Sequence, residues 1–558
     1  MRPLRYTTSA ASSTAGPAPG HYPAKIRDLK EDSDFAGRKK VISDLSLDCQ
    51  DKKYYPRIGF LEEKLSRDLK DVKLIRIPQF RSKYESLFKE TPGLHKIDDK
   101  FYIVSGKIQS IRKAGRGSFF IDLIQDYTKL QLMVHHKVMG LDKESFLEHH
   151  SRFRPGDQCI CVGTPGTTRV GELSLRLIRP LELASPALHS LPPKLMDPAL
   201  INRNRVVDYL VNEKSQKVIL ARARIISLIR LFLESRDFIE VATPVIGSGN
   251  TGANATPFVT SSVHVKQKDD ESQLSQLSLR VAPELWLKRL IISGFDKIYE
   301  VGPSFRNEGI DATHNPEFTT CEFYRTFTSL DQLMEMTQKM IMGIVKDLAS
   351  QPKFTICHDR SVQLINDVKQ NGDVFRKIDF VSELERQTGV RLPKMNELTS
   401  VKLLSYYDML GLERPEIISN YQLLDNLSSI YLEPLCQSCP TFIYNIPEIL
   451  SPLAKSTEYI SRRFELYIDG KELVNAYEEE NNPFKQEAKF LTQLKLKKEF
   501  NDEESMIPDH RYTRFMEWGM PPTGGWGMGI DRLVMLLTQT ERIDNVLTFG
   551  RLSDVLKQ

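Results

Sequence analysis

FRNEGIDATHNPEFTTCEFY, residues 305–324, reads as a β-hairpin. It begins as a strand, turns through a polar segment carrying Arg306, Glu308, His314 and Asn315, and returns as a strand whose alternate positions are Phe318, Thr320, Glu322 and Tyr324. Successive strand residues point to opposite faces, so those four share one face. An arginine, two carboxylates and a tyrosine gathered by one hairpin suit a charged substrate and a phosphate. A surface hairpin laced with salt bridges has the same composition, so the neighbouring segments must decide.

Downstream, RFELYIDGKELVNAYEEEN (residues 463–481) holds Asp469-Gly470, a dipeptide favoured in two-residue hairpin turns, between two strand-like runs. The second run presents Asn475, Tyr477 and Glu479 on one face. Glu472 has the opposite parity and joins them only if a bulge lies near Val474. In PPTGGWGMGIDRLVMLLT (residues 521–538), glycines precede a helix starting near Ile530, with Arg532 in its first turn. Gly527 and its neighbours there would let backbone approach a flat or anionic ligand, although GxGxxG is not matched.

Upstream, LRVAPELWLKRL (residues 279–290) puts Glu284 at the head of a helix. Residues 215–235 form a long helix so apolar that it must be covered on more than one side, and self-association is one way to do that. The strand FIEVATPV follows, then the loop GSGNTGANATP (residues 247–257), and residues 266–278 form a polar run expected to loop out. Residues 328–440 read as mostly helical and carry no recognisable chemistry.

The chain of 558 residues is too long for one core. Its 40% hydrophobic and 27% charged content is that of a globular protein, and no apolar run approaches the roughly 20 residues of a membrane span. Seven cysteines do not form a disulfide framework at this length, which points to a reducing compartment. Cys436 and Cys439 make a lone CxxC, readable as idle thiols or as half of a metal site.

The net charge of +4 is unevenly spread: residues 101–180 hold 12 Lys and Arg against 7 Asp and Glu. In this basic segment about five short strands broken by turn signals suggest a small oligonucleotide-binding barrel, with Phe120 as a stacking platform and Gln131 and Glu172 as readers of base edges. Residues 1–27 carry four basic groups and no acid; they fit an organellar transit peptide better than a secretory signal, though a disordered tail has the same composition. The expected organisation is therefore a leader over 1–27, a helical extension over 28–100, the barrel over 101–183, a proline-rich linker over 184–214, and a large domain over 215–558 with a helical insertion at about 328–440.

FIEVATP, FRNEG…HNPEFTTCEFY and GWGMGIDR resemble the three ordered motifs of the class II aminoacyl-tRNA synthetases, and the APEL run, HNPEFTTCEFY and NAY-x-E narrow this to the lysyl-tRNA synthetases of class IIb. The resemblance covers roughly residues 101–549 and, with the leader, points to a mitochondrial form acting in the matrix. It implies an α+β fold: a five-stranded OB barrel holding the anticodon, then an antiparallel sheet flanked by helices. It implies ATP and Mg2+ as cofactors, lysine and tRNA(Lys) as partners, and a homodimer formed through motif 1.

By the same resemblance, Arg306 and Arg532 are the catalytic cations, and Arg306, Glu308, His314, Asn315, Phe318, Glu465, Glu472, Gly527 and Arg532 contact ATP. Gly252, Glu284, Arg306, Glu322, Tyr324, Asn475, Tyr477 and Glu479 are implied for lysine, with Glu479 awaiting an ammonium partner from the substrate. Phe120, Gln131 and Glu172 are implied for the anticodon, and Glu472 with Glu479 for the metal. Competing expectations are a related ligase for aspartate, asparagine or a protein acceptor, and a non-catalytic RNA-binding paralogue. The carboxyl terminus, TFGRLSDVLKQ, departs from the family's usual ending.

Overall fold

The computed structural model describes residues 33–91, 93–247, 255–266, 274–500 and 509–555. The leader at 1–27, Gly252 and the centre of the polar run at 266–278 lie outside the described residues. The chain divides into two compact units at Pro193/Lys194.

In the first unit, β1 (Tyr102–Lys113), β2 (Ser118–Gln125), β3 (Thr128–His135), β4 (Gln158–Thr167) and β5 (Leu173–Leu177) pair in the order β1-β2-β3-β5-β4. The ring closes by pairing β4 back onto β1. Closure removes the open edges that a five-stranded sheet would otherwise leave unpaired. Alternation drives it: Phe119, Ile121, Leu123, Leu130 and Leu132 fill the interior, leaving Phe120, Asp122 and Gln131 on the outer wall. The helix Ile77–Glu90 packs Ile77, Phe80 and Tyr84 into the same core. Cys159 and Cys161 are buried in β4, where desolvation pushes both thiols up and leaves them unreactive.

The second unit is built on α1 (Glu213–Glu234), β6 (Ile239–Glu240), α2 (Glu284–Ile292), β7 (Lys297–Phe305), β8 (Glu317–Thr326), α3 (Leu330–Ser350), α4 (Thr355–Gln370), β9 (Arg376–Asp379), α5 (Asn420–Tyr431), β10 (Thr441–Tyr444), β11 (Arg463–Ile468), β12 (Lys471–Glu478), β13 (Thr523–Gly529) and α6 (Ile530–Thr538). Its eight-stranded sheet runs β9-β10-β11-β12-β13-β8-β7-β6 and is antiparallel except at its two ends. One face carries Cys321, Phe323, Trp526 and Met528, which pack under α1, α3, α4 and α6. Trp526 stacks on Phe323 at 4.8 Å between ring centroids and donates its indole N–H to Thr337 Oγ1 at 2.8 Å. The other face is open to a cavity.

The region at 328–440 is not an insertion throughout. Leu333, Met340, Ile344, Val345 and Leu348 of α3 belong to the main core, so this helix is part of the domain's frame. The shorter helices that follow β9 form a separate hydrophobic cluster around Tyr406, Tyr407, Leu423 and Leu427. No described helix is long and apolar enough to cross a membrane.

Candidate active site

A cavity of about 820 Å³ opens over the exposed face of the central strands. Phe318, Thr320, Glu322 and Tyr324 of β8 line one wall, because the alternation that sends Cys321 and Phe323 into the core turns these four outward. Gly525, Gly527 and Gly529 of β13 form the floor. Paired between β8 and β12, they bring bare backbone to the surface. Glu472, Asn475 and Tyr477 rise from β12 on the far side, and Glu284 closes one end from the first turn of α2.

At that end the charges are negative. Glu284 Oε1 accepts hydrogen bonds from Tyr477 Oη at 2.5 Å and Lys288 Nζ at 2.5 Å. Glu322 Oε2 accepts from Tyr324 Oη at 3.1 Å. Burial and the charge of Glu284 push the Glu322 carboxyl up to about 8. The Arg280 charge works against that shift, and its guanidinium is engaged by Glu300 at 2.5 Å.

Glu479 corrects an expectation. It does not line the cavity; it lies behind the floor, 1% exposed and ion-paired with Lys288. A carboxylate taken to await a cation from the substrate already has an internal one, one turn along α2 from Glu284. Only the missing side chain of Gly525 leaves it reachable from the cavity: a Cβ there would overlap Glu479 Oε1 and come 2.7 Å from Tyr324 Cε1. Gly525→Ala is therefore expected to break the Lys288–Glu479 pair and raise KM for the substrate bound at this end by roughly 100-fold or more. Binding at the opposite end of the cavity is expected to change little; steady-state kinetics in the ligands of the two ends checks this.

The opposite end is cationic. Arg306 follows directly on β7, with its backbone N–H bonded to Pro316 O at 2.8 Å, and its guanidinium lies 5.2 Å from the Phe318 ring centroid. Its Nε is buried with no hydrogen-bond partner. Arg532, in the first turn of α6, donates to Glu472 O at 3.0 Å and to His314 Nε2 at 3.0 Å. His314 then bears its proton on Nδ1, which donates to Asp311 Oδ2 at 2.8 Å. The backbone N–H groups of Thr313 and His314, with the His314 ring, hold the Asp311 carboxyl well below the usual range even though its slight burial works the other way. Glu308 is an exposed rim residue. Asn315 is tied up structurally: it donates to Glu317 O at 2.6 Å and accepts from Leu552 N–H at 3.1 Å, fastening the divergent carboxyl terminus to this hairpin.

Between β11 and β12 the register slips by one residue between Leu466↔Val474 and Tyr467↔Glu472, leaving Leu473 as the extra residue. This bulge lies where the parity of Glu472 requires one, and it turns Glu472 to the cavity beside Glu465. Burial and the Glu465 charge push the Glu472 carboxyl up to about 7. The structure contradicts the pairing of Glu472 with Glu479 as metal ligands: Glu472 lies near the start of β12 and Glu479 one residue past its end, about 20 Å apart along the strand direction. Glu465 is the carboxylate that Glu472 faces. Among the described residues no group of three or more His, Cys, Asp or Glu side chains forms a metal site by itself.

Sequence reading missed several wall residues. Tyr421, Asp425 and Ser428 of α5 and Glu433 line the cavity from the helical region that shows no motif. Arg463 donates to Asn475 Oδ1 at 2.9 Å and Glu465 Oε1 at 2.5 Å, fixing one residue from each end of the site. Its position two residues before Glu465 on the same strand was the available signal.

On the barrel, Phe120 is half-buried on the outer wall, and Asp122 stands opposite Gln131 across β2 and β3. Gln131 Nε2 donates to Glu172 Oε2 at 3.0 Å and its Oε1 accepts from Ser174 Oγ at 3.1 Å. Gln131, expected as a reader of base edges, is 3% exposed, with its amide oriented by β5 and the turn before it.

Residues 197–553 match the model of a family described as tRNA synthetases class II (D, K and N). The chain is similar to the mitochondrial lysine–tRNA ligase of Saccharomyces cerevisiae, 39% identical over 93% of this chain and 92% of the relative. It is similar to the mitochondrial lysine–tRNA ligase of Schizosaccharomyces pombe, 37% identical over 81% of this chain and 84% of the relative. The lysine–tRNA ligase of Clostridium tetani is 36% identical over 82% of this chain and 88% of its own length.

Proposed function

The chain belongs to the class II tRNA synthetases (D, K and N), and from that membership we propose that it is the lysine–tRNA ligase of mitochondrial translation, working in the matrix. It activates lysine with ATP and transfers the lysyl group to the 3′ end of tRNA(Lys). The observation that carries the choice of lysine is the acidic end of the cavity, where Glu284 and Glu322 line the wall and Glu479 stands behind Gly525. An amino acid with two ammonium groups matches that end; an aspartate side chain would meet like charge.

The α-ammonium lies toward Glu284 and the ε-ammonium toward Tyr324 and, over Gly525, Glu479. Arg306 holds the lysine carboxylate against the α-phosphate. That carboxylate attacks the α-phosphorus in line, the bond to the bridging oxygen breaks, and pyrophosphate leaves; the tRNA terminal ribose hydroxyl then displaces AMP from the lysyl carbonyl. Arg306 and Arg532 neutralise charge that grows on the phosphate oxygens, so positioning and electrostatics do the chemistry and no protein nucleophile is needed. Phe318 and the glycine floor receive the adenine, with Arg532 on its other side.

Glu465 and Glu472 fit Mg2+: two neighbouring carboxylates whose mutual repulsion raises one of them suit a cation that takes one or two carboxylates plus phosphate oxygens. Bound there, the ion would neutralise phosphate charge. The outer wall of the barrel around Phe120, Gln131 and Glu172 supports anticodon binding by stacking and edge reading. Leu231 at 53% and Ile239 at 55% exposure leave an apolar strip along α1 and β6 that supports a homodimer.

Exchange of labelled pyrophosphate into ATP tests the assignment. The expected result is exchange that depends on lysine and is at least about 10⁴-fold weaker with norleucine, which lacks the ε-ammonium. No exchange with lysine, or equal exchange with aspartate, overturns it.

A further inference from the structure

Three carboxylates are concentrated at the acidic end of the cavity. Glu284 and Glu322 are 8% exposed and Glu479 is 1% exposed. One cation is buried with them: Lys288, itself 1% exposed, contacts Glu284 at 2.5 Å, is ion-paired with Glu479, and sits 5.4 Å from the Tyr477 ring centroid. Burial works against the Lys288 ammonium, and the charges of Glu284 and Glu479 outweigh it, so the group is held charged. Tyr324, Tyr477 and Tyr512 complete the surroundings, and burial pushes all three phenols up, so they remain neutral donors.

We propose that Lys288 is a specificity-determining residue: its ammonium, fixed between Glu284 and Glu479, cancels one of three buried carboxylates and leaves a pocket matched to a substrate with two ammonium groups. This rests on the reading of the cavity as a lysine site. With Lys288 in place the sum closes, since two unmatched carboxylates meet two ammonium groups. A substrate with one ammonium leaves a buried charge unpaired, which is costly. Without Lys288 the third carboxylate takes a proton from solvent in the empty pocket, and the two entering ammonium groups of lysine, shared among three carboxylates, draw that proton off in part.

Lys288 lies behind the floor and does not line the cavity, so it acts through the carboxylates. Its signature is a count of protons. Calorimetry of lysine binding to the full chain, at pH 7 in two buffers of different ionisation enthalpy, measures that count. Lys288→Met is expected to weaken lysine by on the order of 100-fold and to release up to one more proton on binding than the wild type. Lys288→Met combined with Glu479→Gln removes the charge pair together; it is expected to return to the wild-type proton count and to bind lysine at least about tenfold more tightly than Lys288→Met alone.

A wild-type proton count in Lys288→Met overturns the proposal. Should that single variant fail to fold, a proton count in the double variant that differs from wild type overturns it. Absence of lysine-dependent exchange in the wild type removes the underlying lysine reading instead, so the two failures are distinguishable.

Discussion

Arg306→Ala is expected to lower kcat for lysine-dependent pyrophosphate exchange by about 10²- to 10³-fold. The residue leaves the end of β7 at the rim of the cavity; among the described residues its guanidinium makes no ion pair, and its Nε is buried without a hydrogen-bond partner. A cation kept in this way is available to charge that develops on a bound phosphate, and removing it leaves the sheet intact because its backbone bond to Pro316 does not need the side chain. The thermal transition should therefore stay within a few degrees of wild type while turnover collapses. Arg532→Ala makes the contrast: that guanidinium also secures Glu472 O and His314, so its loss should disturb ATP affinity as well as turnover. A loss of less than about tenfold in Arg306→Ala, measured at saturating substrates, would show that its charge is not used in the transition state.

The legible parts of this site are those whose geometry is local. Two-residue periodicity puts Phe318, Thr320, Glu322 and Tyr324 on one wall, and the parity of Glu472 demands the bulge found at Leu473. The Asp469-Gly470 turn is written in its dipeptide: both residues adopt positive φ, 53° and 67°. The pairing of Glu479 with Lys288 was not legible, because one residue lies just past the end of β12 and the other on α2, and they meet only through the packing of that helix against the sheet. The same holds for Tyr421 and Asp425, contributed by a helix whose sequence shows only ordinary amphipathic spacing. Glu472 and Glu479 illustrate the opposite error: one lies near the start of β12 and the other just past its end, and strand rise separates them too far to share an ion.

Glu322→Gln is expected to raise KM for lysine by roughly 10²- to 10³-fold while leaving the ATP constant within a few fold, and to change how lysine use depends on pH. In the ligand-free protein burial and the Glu284 charge push this carboxyl from its ordinary 4.5 up to about 8, so it is largely neutral at pH 7. In the proposed lysine complex it is ionised. Binding must then expel a proton, and KM for lysine should fall as pH rises from about 6.5 to 8.5. The amide cannot ionise, so that slope should flatten in the variant even though Tyr324 Oη retains an acceptor. Stability runs the other way. Between 4.5 and about 8 the unfolded chain has lost the proton that the folded chain keeps, so the contribution of this group to stability is present at low pH and is lost as pH rises through the folded value. Glu322→Gln should accordingly be more stable than the wild type above pH 8, by on the order of 1 to 3 kcal/mol in denaturant titrations. A variant that loses lysine affinity while gaining stability there identifies Glu322 as a group kept ionisable for the ligand at the expense of the fold. Equal pH slopes for the two proteins would assign the proton to another carboxyl of the pocket.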